Sequence, residues 1–199
     1  MPQKAGKVFV ISGPSGSGKT TLRECLLKEK KLKLLFAKSV SFTTRKKRTA
    51  EIEGRDYFYI SENEFKKKLR AKKILEWTRY LGYYYATSRD FISNQLKKEK
   101  NIILCLDLRG ALKVKKLFPE NSVTIFIKPP SINELKRRIE QRCSKTCKKE
   151  ILRRLKLAAT EILAASNYDY VVVNSNLKQA CSKLQGIVLK ETIIDKGAR

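Results

Sequence analysis

The sequence predicts an α/β fold, a parallel sheet covered by helices, and three observations carry that expectation. Four short apolar runs rich in β-branched residues punctuate the chain without alternating polar positions. The segments between and after them carry helical patterns with start signals. One aromatic-rich stretch interrupts the rhythm and reads as an insertion.

The runs are Val8 to Ile11, Ile102 to Leu106, Val123 to Ile127 and Tyr170 to Val173. Continuous apolar character suits strands buried on both faces, as in a parallel sheet sandwiched by helices. Strand followed by helix, repeated, implies right-handed crossovers. An amphipathic helix with Leu22, Leu26 and Leu27 follows the first run. From about Val40 to Thr87, short aromatic strands at Tyr57 to Ile60 and Tyr83 to Tyr85 surround a helix opened by Ser61 and Glu64. Ser131 and Glu134 form a second capping box before Leu135 to Arg142, and Asn176 with Gln179 forms a weaker one before the last helix. Between two arginine-rich helical segments, Cys143 to Lys149 is lysine-dense and lacks proline and glycine. There are no internal repeats and no low-complexity linker.

With 199 residues, 42% hydrophobic and 32% charged, the chain suffices for one substantial core with insertions. No stretch approaches the roughly 20 apolar residues of a membrane-spanning helix, and Met1 to Lys7 is polar, so a soluble cytoplasmic protein with no membrane partner is expected. Five scattered cysteines argue against a secreted disulfide framework and for reduced thiols. Cys143 and Cys147 lack the histidines or further cysteine pair that would complete a zinc site. Lysine and arginine number 45 against 19 acidic residues, a formal charge of +26, which points to anionic partners. No RNP-like, zinc-finger or cold-shock-like signature is present, so specific nucleic-acid binding is not expected, while non-specific anion binding is allowed. The blander reading is a solvated lysine-rich surface.

Directly after the first run stands Gly13-Pro14-Ser15-Gly16-Ser17-Gly18-Lys19-Thr20, followed by Thr21, in the form G-x-x-x-x-G-K-[ST] between a strand and a helix. Glycines at 13, 16 and 18 let backbone N–H groups converge on phosphate oxygens, and the helix N-terminus adds partial positive charge. Lys19 is expected to reach the β- and γ-phosphates of a nucleoside triphosphate, and the Thr20 hydroxyl to ligate the accompanying Mg2+. The fold expectation thereby sharpens to a P-loop NTPase-like sheet. No N-K-x-D motif of a GTPase is present, which leaves transfer to an acceptor, a reaction needing a second anion site.

The segment Ser39-Val40-Ser41-Phe42-Thr43-Thr44-Arg45-Lys46-Lys47-Arg48, continued by Glu51, Gly54, Asp56 and Tyr57, resembles guanylate kinase. So do Glu76-Trp77, Gly82, Tyr84-Tyr85, Thr87, Asp107, Gly110, Arg138, Arg142, Arg154 and Asn174, roughly over Val8 to Leu184. The resemblance implies transfer of the γ-phosphate of ATP to GMP or dGMP, with magnesium. It implies a core of residues 1–40 and 88–199, a monophosphate-binding subdomain at 41–87 and a helical lid at 138–155. Arg45, Arg48, Tyr57 and Tyr85 would cage the acceptor phosphate, since two guanidinium forks beside two phenols suit one phosphomonoester. Glu76 would accept two N–H donors of guanine, a pair that adenine lacks, with Ser41, Thr87 and Asp107 addressing the rest of the base. Arg138, Arg142 and Arg154 would meet the phosphates as the lid closes, and Asn174 would lie near the donor adenine. Read without the resemblance, the tyrosines are ordinary strand residues, the arginines surface charge, and Glu76 a lysine's partner.

Several positions depart from the family pattern. Cys105 stands where many members carry aspartate, Ala50 and Ala86 replace glycines, the lid is one residue longer, and Lys148 and Lys149 occupy an often acidic stretch. Alanine would be strained wherever the backbone needs positive φ. Two other readings are a scaffold module that binds protein ligands, which would have a degraded phosphate loop, and salt-sensitive nucleic-acid binding driven by charge.

Overall fold

The computed structural model describes residues 6–142 and 148–197. Cys143, Cys147 and the side chain of Arg142 lie outside the described residues. The chain opens with β1 (Val8–Ser12), α1 (Lys19–Lys28), α2 (Lys30–Leu35), β2 (Phe36–Lys38), β3 (Ser41–Thr43) and β4 (Tyr57–Tyr59). Next come α3 (Glu62–Arg70), β5 (Ile74–Tyr80), β6 (Tyr83–Ser88), α4 (Arg89–Lys97), β7 (Asn101–Cys105) and α5 (Leu108–Leu117). The last elements are β8 (Ser122–Lys128), α6 (Ile132–Arg142), α7 (Lys148–Leu163), β9 (Tyr170–Val173) and α8 (Leu177–Gly197).

Five strands form a parallel sheet in the order β2-β7-β1-β8-β9. All five β1 residues are buried, as a strand covered on both faces requires. Its side chains alternate between two cores. Phe9 and Ile11 pack with Leu22, Leu26 and Leu184 of α1 and α8, whereas Val8 and Val10 pack with Ile92, Ala111 and Val114 of α4 and α5. Because β1 has β7 on one side and β8 on the other, connections leave its C-terminal end in opposite directions and open a crevice there.

A second sheet, β4-β3-β6-β5, is formed by residues 41–88 and is antiparallel apart from the β3–β4 pair. Phe65 of α3 packs on it, its ring stacked 4.4 Å from that of Tyr84. The capping box at Ser61 and Glu64 is complete. At Ser131 only half of the expected box forms: Glu134 N–H donates to the Ser131 hydroxyl, but the Glu134 carboxylate turns to Arg137 and Arg138. Gln179 N–H donates to the Asn176 side chain as expected. The aromatic strands are joined by β3 and β5, which the sequence reading missed because β3 is three residues long and β5 carries Glu76 and Arg79 among its apolar positions.

The expectation of reduced thiols needs correction. Cys25 of α1 and Cys181 of α8 form a disulfide, with Cα atoms 6.3 Å apart. The two helices cover the same face of the parallel sheet, which brings together cysteines 156 positions apart in sequence. Ala50 and Ala86 are not strained: among the described residues, only Lys72, Leu81 and Glu99 combine a side chain with positive φ.

Candidate active site

The crevice at the end of β1 continues to the second sheet as one cleft of about 1340 Å³. On its core wall, the backbone turns sharply between β1 and α1. Gly13 has φ +136°, and a Cβ there would lie 2.3 Å from the Ile127 carbonyl oxygen. Gly18 caps α1 in the left-handed region at φ +97°, and a Cβ would meet Asn174 Nδ2 at 2.3 Å. Lys19 Nζ donates to the carbonyls of Gly13 (2.5 Å) and Pro14 (3.0 Å), which folds its chain back along the loop. Ser15, Gly16, Thr20 and Thr21 also line the cleft. Ser17 does not; it is fully buried with its hydroxyl unpartnered.

Asn174, just beyond β9, locks this wall. Its side-chain amide donates to the Ser17 carbonyl (2.8 Å), and its own carbonyl accepts from Arg138 Nη2 (3.0 Å). Arg138 Nε donates to Glu134 (2.8 Å), so a hydrogen-bonded chain runs from the loop to α6. Arg154 of α7 is buried at the cleft's edge, bonded to Glu150 and with Nε unpartnered.

On the opposite wall Arg45 is held from several sides. Its Nη2 donates to both Glu51 oxygens (2.8 and 3.0 Å) and its Nε to the Tyr85 hydroxyl (3.2 Å). Its guanidinium stands 5.6 Å from the Tyr57 ring centre. Burial works against ionisation of Glu51, yet bonds from Arg45, the Arg48 backbone and Tyr59 hold its carboxyl down at about 2. Arg48 and Ser41 border the same space. Glu51 stands in the quoted sequence pattern, but its role as the anchor of Arg45 becomes visible only in three dimensions.

Glu76 lines the cleft while only 2% exposed, accepting from the Thr87 hydroxyl at 2.5 Å. Burial pushes its pKa up to about 7; the Thr87 bond opposes this and the Asp107 charge adds to it. Thr87 itself is fully buried and off the cleft surface, so it bears on the cleft through Glu76. Asp107 caps α5 by accepting from Gly110 N–H (2.9 Å), and Gly110 is small for a reason: a Cβ would lie 2.9 Å from Glu76 Oε2.

Three further cleft residues escaped the sequence reading. Tyr80 of β5 lines the cleft together with Ser15 of the loop. Burial pushes the Glu161 carboxyl up, with Lys19 opposing and Asp107 reinforcing. Arg23 lies four positions beyond Lys19, on the same face of α1, a helical spacing that could have flagged it.

The guanylate kinase family model matches residues 5–191. The chain belongs to the guanylate kinase family. Guanylate kinase of Chlamydia trachomatis serovar D is 46% identical over 187 residues, covering 93% of this chain and 88% of the relative. That of Caldanaerobacter subterraneus subsp. tengcongensis is 43% identical over 190 residues, covering 95% and 89%. The crystal structure of guanylate kinase from Anaplasma phagocytophilum superposes with a TM-score of 0.76 at 32% identity, covering 95% of this chain and 87% of that one. Against that family background, the intact phosphate loop and the anchored Arg45 argue for a catalytic member over a binding module.

Proposed function

We propose that the core wall of the cleft holds ATP, that the second sheet holds GMP or dGMP, and that the side chains between them carry the transfer. The reaction is ATP:GMP phosphotransfer, the activity of a nucleoside monophosphate kinase. The observation that carries the assignment of roles is that Lys19 of the core wall and Arg45 of the second sheet line one continuous cleft, with the buried Glu76 also in its lining. Two anion sites joined by open space allow acceptor and donor phosphates to meet in line, which supplies much of the rate through positioning.

In this reading the loop amides and Lys19 hold the β- and γ-phosphates, with Asn174 near the donor base. Arg45, Arg48, Tyr57 and Tyr85 hold the acceptor phosphate, and Glu51 orients Arg45 toward it. Glu76 accepts the guanine N–H pair, with Thr87, Ser41 and Asp107 around it. Arg138, Arg142 and Arg154 offset charge on the transferring group from a lid at 138–155, and residues 41–87 act as the acceptor subdomain. No deoxyribose-excluding contact is required by these roles, so dGMP is accepted as well.

Among the described residues no cluster of three or more carboxylate, cysteine or histidine ligands exists. That suits magnesium, which uses few protein ligands and keeps phosphate and water oxygens. The exposed Thr20 hydroxyl at the cleft would hold it. Bound magnesium supplies charge neutralisation of the donor phosphates. We place the enzyme in the cytoplasm, where its nucleotide substrates occur; no described helix is long and apolar enough to cross a membrane.

A coupled assay of ADP formation with GMP, dGMP, AMP, UMP and dTMP tests the proposal. Rapid turnover is expected with the two guanine nucleotides alone, and Lys19→Ala should lower kcat by about 100-fold or more. Comparable rates with AMP would remove the role given to Glu76.

A further inference from the structure

Arg23 is more than nine-tenths buried, at 8% exposure, yet it lines the cleft beside Cys105 at the end of β7. A guanidinium offers five N–H donors in a rigid fork. Here its Nη2 donates to Glu24 (2.8 Å), while its Nε is enclosed without a partner. Glu24 does not neutralise it fully, because the same carboxylate oxygen also meets Lys38 at 3.2 Å and the side chain is 48% exposed. One partly solvated anion therefore faces two cations.

A buried charge with an unused donor is unfavourable unless something satisfies it. Two groups that share the cleft with it, Cys105 and Tyr57, are uncharged. Burial pushes both the Cys105 thiol and the Tyr57 phenol up, and both lie within electrostatic reach of Arg23. Tyr57 is also the ring beneath the Arg45 guanidinium. Arg23 thus lines from the core wall the same cleft that Arg45 and Tyr57 line from the second sheet.

We infer that Arg23 is a third phosphate-binding guanidinium, gripping the phosphomonoester of the acceptor from the wall opposite Arg45. This rests on the placement of GMP proposed above. It gives the acceptor phosphate cations on both sides of the cleft, so acceptor binding and approach of the two walls favour each other.

The test is the affinity of the full chain for GMP, guanosine and ATP, by calorimetry or competition, in wild type, Arg23→Leu, Arg23→Lys and Arg45→Ala. Arg23→Leu should weaken GMP about 10- to 100-fold, the range for a charge-assisted phosphate contact, while guanosine and ATP change less than about twofold. Arg23→Lys, which keeps the charge and loses the fork, should fall between and decides the matter if the leucine variant does not fold. Unchanged GMP affinity overturns the inference. So does equal weakening of GMP and guanosine, which marks a structural role, or a larger loss for ATP, which assigns Arg23 to the donor. If wild type fails to bind GMP, or Arg45→Ala binds it normally, the acceptor-site reading itself fails, a result distinct from an effect missing only at Arg23.

Discussion

pH should reach base recognition through Glu76. Guanine presents two N–H donors on one edge, and an ionised carboxylate accepts both, whereas a protonated carboxyl has lost one acceptor. With the Glu76 pKa raised by burial to about 7, binding GMP must displace a proton at lower pH. The apparent Kd then scales as one plus ten to the power of (7 minus pH), roughly 11-fold above its limiting value at pH 6 and nearly at the limit by pH 8. Stability runs the other way in protein without nucleotide. Folding favours the protonated form, so this group's contribution is fully present below the ordinary 4.5 and is lost as pH rises through about 7, on the order of 3 kcal/mol in all. Calorimetric titration of GMP between pH 6 and 8, in buffers of different ionisation enthalpy, counts the released proton. Because the GMP phosphate itself titrates near pH 6, roughly the second pKa of a phosphomonoester, the same series on Glu76→Gln supplies the correction. Beyond the phosphate contribution common to both proteins, wild type should release one further proton and show the roughly tenfold pH dependence; Glu76→Gln should show the phosphate contribution alone and bind GMP about 10- to 100-fold more weakly. A wild-type profile no steeper than that of the variant would refute the reasoning.

Other perturbations follow from the same geometry. Glu51→Gln should release Arg45 and raise the KM for GMP several-fold while leaving that for ATP unchanged; the wild-type Glu51 contribution to stability, present above the ordinary 4.5, should fade in acid melts only as pH falls toward about 2. Gly18→Ala places a methyl against Asn174 at positive φ and should cost about 1–3 kcal/mol of stability together with ATP binding, measured by denaturant melts and titration. Closing a loop of this length by the Cys25–Cys181 disulfide can stabilise by up to about 5 kcal/mol, so reduction should lower Tm and expose two additional thiols in unfolded protein; an unchanged thiol count would exclude the bond.

The sequence alone determined the local features: buried strands, the phosphate loop between strand and helix, the capping signals, and the residue types of the family pattern. These are short-range, written in periodicity, glycine placement and fixed spacing. It did not show β2 or β3, because each is three residues long without the aromatic run that marks β4, and is defined by the neighbour it pairs with. Nor did it show that Cys25 meets Cys181, that Glu51 grips Arg45, or that Arg23 lies buried with an unpartnered donor beside Cys105. Those features arise in three dimensions, because burial and long-range pairing depend on how helices seat on a sheet. The same seating sets the environment that moves Glu76 toward neutrality, a property of the surrounding fold and not of glutamate.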